Sequence, residues 1–513
     1  VLFRSMQRAG ARGRSGGSED AILASLLEEN EKFDEPLPTA EVARVAKSSS
    51  RYPPAPATLL RPLTDAGNAE RFADYYAGRL AWDADEEWRE YTAGVWAPTT
   101  DAAVVDGAIV VVRELGKAAP PDEDGAAVRR FATKSESGPR LREMVRLARA
   151  KLPAPQVPPD SLMLLNCANG TVDLRTGELR EHRPGDYLTQ STGVSYRPDA
   201  TCPRFMRFLD ETFRCGETIA LVRRVVGYTL TGSTTEQKMF LLLGGGCNGK
   251  SVLVNVLRSI LGSYARQGQA DTFLQQSRSG PRDDIERLDS ARMVAAVEVP
   301  RGARLDAAMI KQLTGGDVVT ARALYKPARE MRPEAKILVV ANDAPHIDGD
   351  ADAVWRRLMV IPFDFRVDER HVDRDLTAKL LDERTGILAW AVRGSVEWTE
   401  NGLGTAPRVE AAIRRMRERM DPIGTFLQEC VEIRPGIPGD TVSEFYAAYS
   451  RWCDERDLSP LLKRPLSKAV RERAHAETRE AGHGGVRRWF GLRLRTGHDR
   501  SESEDALGPT ESA

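Results

Sequence analysis

The chain has 513 residues, 41% of them hydrophobic, and 74 Lys and Arg stand against 75 Asp and Glu for a formal net charge of −1. That length sets a prior of about three to four domains, and the charge balance excludes a protein that is basic throughout, so contact with an anionic polymer must come from local patches. No apolar run reaches the roughly 18 residues of a membrane-spanning helix, and the N-terminus lacks a signal-peptide pattern. The first 57 residues are rich in Gly, Ser, Arg, Glu and Pro and end in Tyr52-Pro53-Pro54-Ala55-Pro56. That composition reads as a disordered segment or linker over 1–57. The chain starts at Val1 rather than Met, which reads as a truncated or uncertain start. A mixed helical region follows to about 150, containing Trp82, Trp88, Trp96 and a strand-like run at Ala108–Val112. Asp83 and Asp85 form a D-x-D, but Trp82–Glu87 reads as an exposed acidic turn or helix start rather than a metal pair.

The densest information lies at residues 239–251, Met-Phe-Leu-Leu-Leu-Gly-Gly-Gly-Cys-Asn-Gly-Lys-Ser. A buried strand runs into a loop with the spacing G-x-x-x-x-G-K-[ST] from Gly244 to Ser251, and Val252–Leu261 continues with helical pattern. Glycines let backbone N–H groups turn toward phosphate oxygens, and the following helix start adds partial positive charge. The loop Gly244, Gly245, Gly246, Cys247, Asn248, Gly249, Lys250 and Ser251 is therefore the candidate nucleotide cradle. Lys250 would neutralise the β- and γ-phosphates of a nucleoside triphosphate, and the Ser251 hydroxyl would ligate Mg²⁺.

Three further apolar strands follow. Residues 292–298 end in Glu298, placed to hold the hydrated metal or to take a proton from the attacking water. Lys336–Ala341 stops at Asn342, whose amide could orient that water. Trp355-Arg356-Arg357 precedes Leu358–Phe363, and an arginine there can stabilise charge on a transferring phosphoryl group. Between the second and third strands, residues 317–333 read as a basic hairpin with Tyr325 and Lys326 near its tip and Arg322 and Arg329 along it, suited to stacking on bases and meeting phosphates.

Leu376–Trp398 has helical spacing and reads as a lid. Near Asp421-Pro422 a new unit starts, with helices over Ile423–Cys430 and Ser443–Cys453; the aromatics Phe445, Tyr446, Tyr449 and Trp452 read as its core. The basic stretch through Arg487 and Arg488, ending in the strand Trp489–Leu494, suggests a winged helix whose basic face meets phosphate. Glu502, Glu504 and Asp505 mark an acidic tail read as disordered. The six cysteines (Cys167, Cys202, Cys215, Cys247, Cys430, Cys453) and six histidines show neither C-x-x-C nor zinc spacing, and free thiols suit a reducing cytoplasm.

Several stretches together resemble the superfamily 3 helicases of the poxvirus-type and phage or plasmid primase-helicase family: LNCANGTVDLRTGELREHRPGDYLT (its first Asn is Asn166), GYTLTGSTTEQKMFLLLGGGCNGKS, IKQLTGGDVVTARALYKP, KILVVANDAPHI and VWRRLMVIPF. The resemblance covers roughly residues 155–495, and IKQLTGGDVVTAR is its most specific part. It implies an α/β fold with an AAA+-like P-loop NTPase core, an α+β accessory domain before it (58–205), an ATPase domain with lid (206–400), a winged-helix domain (420–497) and an acidic tail (498–513). It further implies an ATP-dependent 3′-to-5′ DNA helicase working as a hexameric ring on single-stranded and forked DNA, with a replication primase or polymerase as partner. The acidic motif falls on Glu298, the sensor on Asn342 and the arginine finger on Arg357, with Arg356 as the alternative. Relatives often carry a second acid two residues after the first, where this chain has Pro300. Two other readings compete: a nucleotide-dependent DNA-binding or origin-recognition protein with weak turnover, which Pro300 favours, and a P-loop enzyme of another class, such as a nucleotide kinase. No catalytic primase domain is read. The abundance of Ala, Arg and Gly points to a GC-rich bacterial or phage genome, and hence to the cytoplasm of a bacterial host.

Overall fold

The computed structural model describes residues 19–31, 38–40, 42–43, 61–83, 87–275, 283–297, 299–300, 302–321, 329–347, 352–366, 373–456, 458–474, 477–481 and 486–495. The chain divides into two compact units, Val1–Val172 with Glu178–Ser195, and Asp173–Gly177 with Tyr196–Ala513.

In the first unit, α1 (Glu19–Asn30) lies inside the segment whose composition reads as unstructured. Leu23, Leu26, Leu27 and Asn30 recur at helical spacing, and Leu26 and Asn30 are buried, so an apolar stripe supports it. Next come α2 (Asp65–Tyr76), the antiparallel strands β1 (Leu80–Trp82), β2 (Trp88–Thr92) and β3 (Val95–Thr99), and helices α3 (Asp101–Lys117), α4 (Glu123–Ser135) and α5 (Gly138–Ala148). The strand expected at Ala108–Val112 is instead the middle of α3. Its β-branched run favours a strand locally, but Val104, Ala108, Val111, Val112 and Leu115 form one buried helical face, and that period over the whole segment decides the outcome. The Thr100 side chain caps this helix by accepting from Ala103 N. Of the acidic stretch after Trp82, Asp83 follows β1 and Glu87 precedes β2, and residues 84–86 lie outside the described residues. The Asp83 carboxylate accepts from Glu87 N at 3.0 Å and pairs with Arg89, whereas Asp85 lies outside the described residues. A second sheet, β4 (Leu164–Cys167), β5 (Gly170–Asp173) and β6 (Glu178–Arg180), is braced by fully buried Asn166, whose Nδ2 donates to Gly94 O at 2.9 Å and Gln190 O at 3.0 Å.

The second unit opens with α6 (Pro203–Phe213) and α7 (Gly216–Leu230), then alternates strands and helices: β7 (Met239–Leu243), α8 (Lys250–Leu261), β8 (Ala265–Gly268), β9 (Met293–Ala296), β10 (Arg304–Leu305), α9 (Ala307–Thr314), β11 (Val319–Ala321), β12 (Arg329–Met331), β13 (Lys336–Ala341), β14 (His346–Ile347) and β15 (Leu358–Pro362). Five strands form a parallel sheet in the order β15-β7-β13-β9-β8. The near-continuous apolar sequences of β7, β9, β13 and β15 suit strands covered on both faces, whereas β8, at the edge, carries exposed Arg266 and Gln267. The first strand is thus interior, between the fourth and fifth, and all five chain directions deliver their carboxyl ends to one edge. Helices α10 (Leu376–Leu381) and α11 (Arg384–Asn401) follow where the spacing reads as helical. Helix α11 meets α7 backbone to backbone: a Cβ on Gly227 would lie 2.1 Å from Gly394 C, so neither position tolerates a side chain. Helix α12 (Pro407–Met420) lays Ala412 and Met416 into the core cluster that contains Leu358 and Val360.

The last elements are α13 (Pro422–Cys430), β16 (Val431–Thr441), α14 (Val442–Asp454), α15 (Lys463–Ala474), β17 (Glu477–Ala481) and β18 (Val486–Leu494), with sheet order β16-β18-β17. Phe426, Phe445, Tyr449, Trp452 and Trp489 form their shared core, so the aromatic stripe is buried structure rather than a stacking surface. The Thr441 side chain accepts from Glu444 N while the Glu444 carboxylate accepts from Thr441 N, a reciprocal cap that starts α14.

Candidate functional site

The site is built from the end of β7. Gly244 N donates to Ala341 O at 3.3 Å and Phe363 N donates to Leu243 O at 2.8 Å, so the chain leaves β7 between the ends of β13 and β15. It then turns sharply. Gly246 N donates back to Gly244 O at 2.9 Å, and Gly246, Cys247 and Gly249 all hold left-handed backbone (φ 91°, 49° and 87°). Such alternation gathers N–H groups into an anion-sized concavity. Helix α8 starts at Lys250 and directs its N-terminal partial charge to the same place. A cleft of about 360 Å³ results, lined by residues 246–252, by Val297 and Val299 beyond β9, and by Val340 and Asn342 at the end of β13.

Lys250 is 3% exposed, and its Nζ donates to Gly244 O at 2.5 Å and to Asn248 Oδ1 at 2.8 Å. Burial lowers its pKa from the ordinary lysine value, partly opposed by the neighbouring Cys247 thiol. Both acceptors are uncharged, so among the described residues no carboxylate compensates this desolvated cation. Asn248 is 5% exposed, and its Nδ2 donates to Phe363 O at 2.8 Å. Gly244 belongs to the same knot: a Cβ there would stand 2.4 Å from both Asn248 Nδ2 and Phe363 O. The Ser251 side chain is exposed in the first turn of α8, and Asn342 is exposed at the cleft rim. Glu298 lies outside the described residues, while its neighbours Val297 and Val299 line the cleft.

Arg357 is elsewhere. Its carbonyl accepts from Met239 N at 2.7 Å, at the start of β7 and therefore at the sheet edge opposite the loop. Arg356 is exposed beside it, and its carbonyl accepts from Lys238 Nζ at 2.5 Å. The chain's own fold thus brings Lys250, Ser251 and Asn342 together and keeps both arginines away.

Residues 69–214 match the family model described as D5 N terminal like, and residues 5–55 match Primase C terminal 1. The chain is similar to a protein of Acanthamoeba polyphaga mimivirus named "Putative helicase L207/L206", 25% identical over 313 residues, and to "Putative helicase 022R" of Frog virus 3, 25% identical over 289 residues. Together these matches support a D5-like primase-helicase family for the chain. A match to a family of unknown function also covers residues 242–357, from within β7 to Arg357. The two alignments cover 56% and 52% of this chain but only 33% and 30% of those proteins, so this D5-like chain spans about a third of the length of the curated relatives it matches. The apo structure of the NrS-1 C terminal region superposes with a TM-score of 0.48 at 10% identity, covering 83% of this chain and 99% of that one.

Elsewhere in this D5-like chain, the basic segment 317–333 does form an antiparallel hairpin, with Val319 opposite Met331 and Ala321 opposite Arg329. Arg322, Tyr325 and Lys326 lie outside the described residues, and Arg329 opens β12 by its backbone. Arg487 and Arg488 sit on β18, Arg487 exposed and Arg488 donating from Nη1 to Gly439 O at 3.3 Å. Sequence patterning assigns Phe363 no role at the site. Its part is played by a backbone carbonyl, which carries no residue-type signature; only its place at the end of the fourth apolar strand marked it.

Proposed function

We propose that this chain is the ATP-hydrolysing motor of a DNA helicase, an AAA+-like P-loop NTPase that assembles as a ring, by resemblance a hexamer moving 3′-to-5′, in replication of a phage, plasmid or integrated element. The observation that carries the reading is the cleft itself: the Gly244–Ser251 loop, the start of α8 and Asn342 converge at the carboxyl edge of a parallel sheet, where such folds take their ligands. Phosphate oxygens are stronger acceptors for Lys250 than the two neutral oxygens it now meets. Asn342 orients the attacking water from the rim, and Glu298 accepts its proton. The remote position of Arg357 supports action on a neighbouring copy's cleft rather than its own.

The donor set fits Mg²⁺. Among the described residues no group of three or more His, Cys, Asp or Glu could hold a metal ion, and Mg²⁺ characteristically takes one or two protein oxygens and completes its shell with phosphates and water. Ser251 and Glu298 would hold it, and when bound it neutralises charge on the β- and γ-oxygens. On the same reading, Tyr325 and Lys326 with Arg322 and Arg329 track single-stranded DNA. The helix–strand–helix–helix–strand–strand order of the last unit supports a winged helix, in which Arg487 and Arg488 meet phosphate at a fork.

ATP hydrolysis with and without single-stranded DNA, alongside Lys250→Ala, tests the proposal. Turnover that DNA stimulates and the substitution abolishes supports a motor. ATP binding without DNA-stimulated turnover would instead favour the nucleotide-dependent DNA-binding protein, the reading to which Pro300 points.

A further inference from the structure

We infer that Asn248 is a positioning residue for nucleotide binding: its side-chain amide fastens the phosphate loop to the end of β15 and holds Lys250 in place until phosphate replaces it. The inference rests on the nucleotide-binding reading above and assigns a role to one side chain within it.

The chemistry of the two neighbours fixes which residue can stand there. Lys250 Nζ has only donors and needs an acceptor at 2.8 Å; Phe363 O has only lone pairs and needs a donor at 2.8 Å. A carboxamide is a small planar group that carries one acceptor and donors side by side. Asp offers two acceptors and would set a carboxylate against a carbonyl; Ser is too short to span both; Ala offers nothing. The site is 5% exposed, so water does not readily substitute for either bond. Gly244 shows that the contact is built in, since the missing Cβ is what admits both Phe363 O and Asn248 Nδ2. Phe363 is in turn held by its N–H on Leu243 O at 2.8 Å and by its ring against Phe213, with centroids 4.9 Å apart. The amide therefore ties a glycine-rich loop, which would otherwise lose much conformational freedom on binding, to two packed elements. An arriving triphosphate meets a cradle already shaped, with the lysine presented by a neutral acceptor that a charged oxygen can displace.

The test compares wild type, Asn248→Ala, Asn248→Asp and Lys250→Ala by equilibrium titration with ATP and with ADP, by steady-state hydrolysis and by the thermal midpoint of the nucleotide-free protein. Asn248→Ala should weaken both nucleotides by about 10-fold, the scale of a hydrogen bond to a charged group, raise KM in parallel, and leave kcat within about threefold. Asn248→Asp should weaken them further, by about 100-fold or more, because the carboxylate pairs with Lys250 and repels phosphate; its nucleotide-free midpoint should not fall below that of Asn248→Ala. Two results would overturn the inference: affinities of both variants within twofold of wild type, or loss of kcat at unchanged KM. If wild type itself fails to bind ATP, the nucleotide reading fails. If wild type binds, Lys250→Ala does not, and both Asn248 variants match wild type, this inference alone fails.

Discussion

Arg357 and Lys250 stand at opposite ends of β7, and that separation yields a sharp prediction for two inactive variants. The Arg357 carbonyl meets Met239 N, whereas the loop begins after Leu243; at about 3.3 Å per residue the strand places them roughly 13 Å apart, before the loop's own depth is added. Arg357 therefore lies too far to act at the Gly244–Ser251 loop of its own chain. Arg357→Ala should lose about 10³-fold or more in turnover, as other fingers do, and Lys250→Ala should fail to bind nucleotide. In a randomly mixed 1:1 ring, a site works when its own chain carries Lys250 and its neighbour carries Arg357, a condition met at about one in four sites whatever the ring size. The mixture should then regain about a quarter of the wild-type rate per chain, although neither variant hydrolyses ATP alone. The assay is steady-state ATPase after the two chains have been exchanged at high concentration, with differently tagged chains used to verify co-assembly by pull-down. Co-assembled chains that stay as inactive as either parent would refute a finger acting between subunits.

Three further perturbations test particular contacts. The Glu383 carboxylate accepts from Arg204 N at 3.0 Å and Phe205 N at 2.9 Å, capping α6, whose own N-cap residue Cys202 makes no side-chain bond; Glu383→Ala should cost about 1–2 kcal/mol, read as faster amide exchange at Arg204 and Phe205, and unchanged exchange there would exclude the cap. Lys336 is fully buried, donates to the carbonyls of Thr231, Ser233 and Glu334, and is held by burial well below the usual lysine range. The unfolded chain then binds more protons than the native one between that lowered pKa and about 10.4, so this lysine makes stability rise with pH by up to about 1.4 kcal/mol per unit. Lys336→Met should destabilise by about 2 kcal/mol at neutral pH and flatten the rise in the urea midpoint between pH 7.5 and 9.5; parallel profiles for the two proteins would contradict the assignment. Finally, Cys247 is exposed at the cleft while Cys202 is buried and pushed up to about 11 by burial and by Glu383, so iodoacetamide should modify Cys247 long before Cys202, and ATP should slow the labelling of Cys247; equal rates with and without nucleotide would place the ligand elsewhere.

What the sequence made legible follows the range of the interaction concerned. The loop and α8 were readable because glycine spacing, a lysine and a helical period occur within a few residues of one another, and β13 and β15 because parallel strands covered on both faces are nearly pure apolar runs. The error at Ala108–Val112 came from reading too short a window: five residues rich in β-branched side chains match a strand, while the buried face from Val104 to Leu115 shows only across three turns. The order β15-β7-β13-β9-β8 was beyond sequence patterning because each pairing joins residues distant in the chain, β7, β9, β13 and β15 present the same apolar signature, and β8 (Ala-Arg-Gln-Gly) presents none.

The same limit explains why the most telling part of the site was invisible. The Asn248 amide and the Phe363 carbonyl are 115 positions apart, and one partner is a backbone atom. Gly244 and Gly394 look like ordinary flexible residues in sequence, yet both are required by sterics: one admits a carbonyl, the other a crossing helix. Neither has the positive φ that usually explains a retained glycine. The physical consequence is an asymmetry in how this fold can change. On the nucleotide reading proposed above, residues that would meet phosphate can be replaced only at the expense of chemistry, whereas the glycines and the amide that shape the loop can fail without any loss of a charged or nucleophilic group. Substitutions at Gly244 or Asn248 should therefore appear first as weakened nucleotide affinity, and those at Gly227 or Gly394 as a displaced α11 with the loop itself intact.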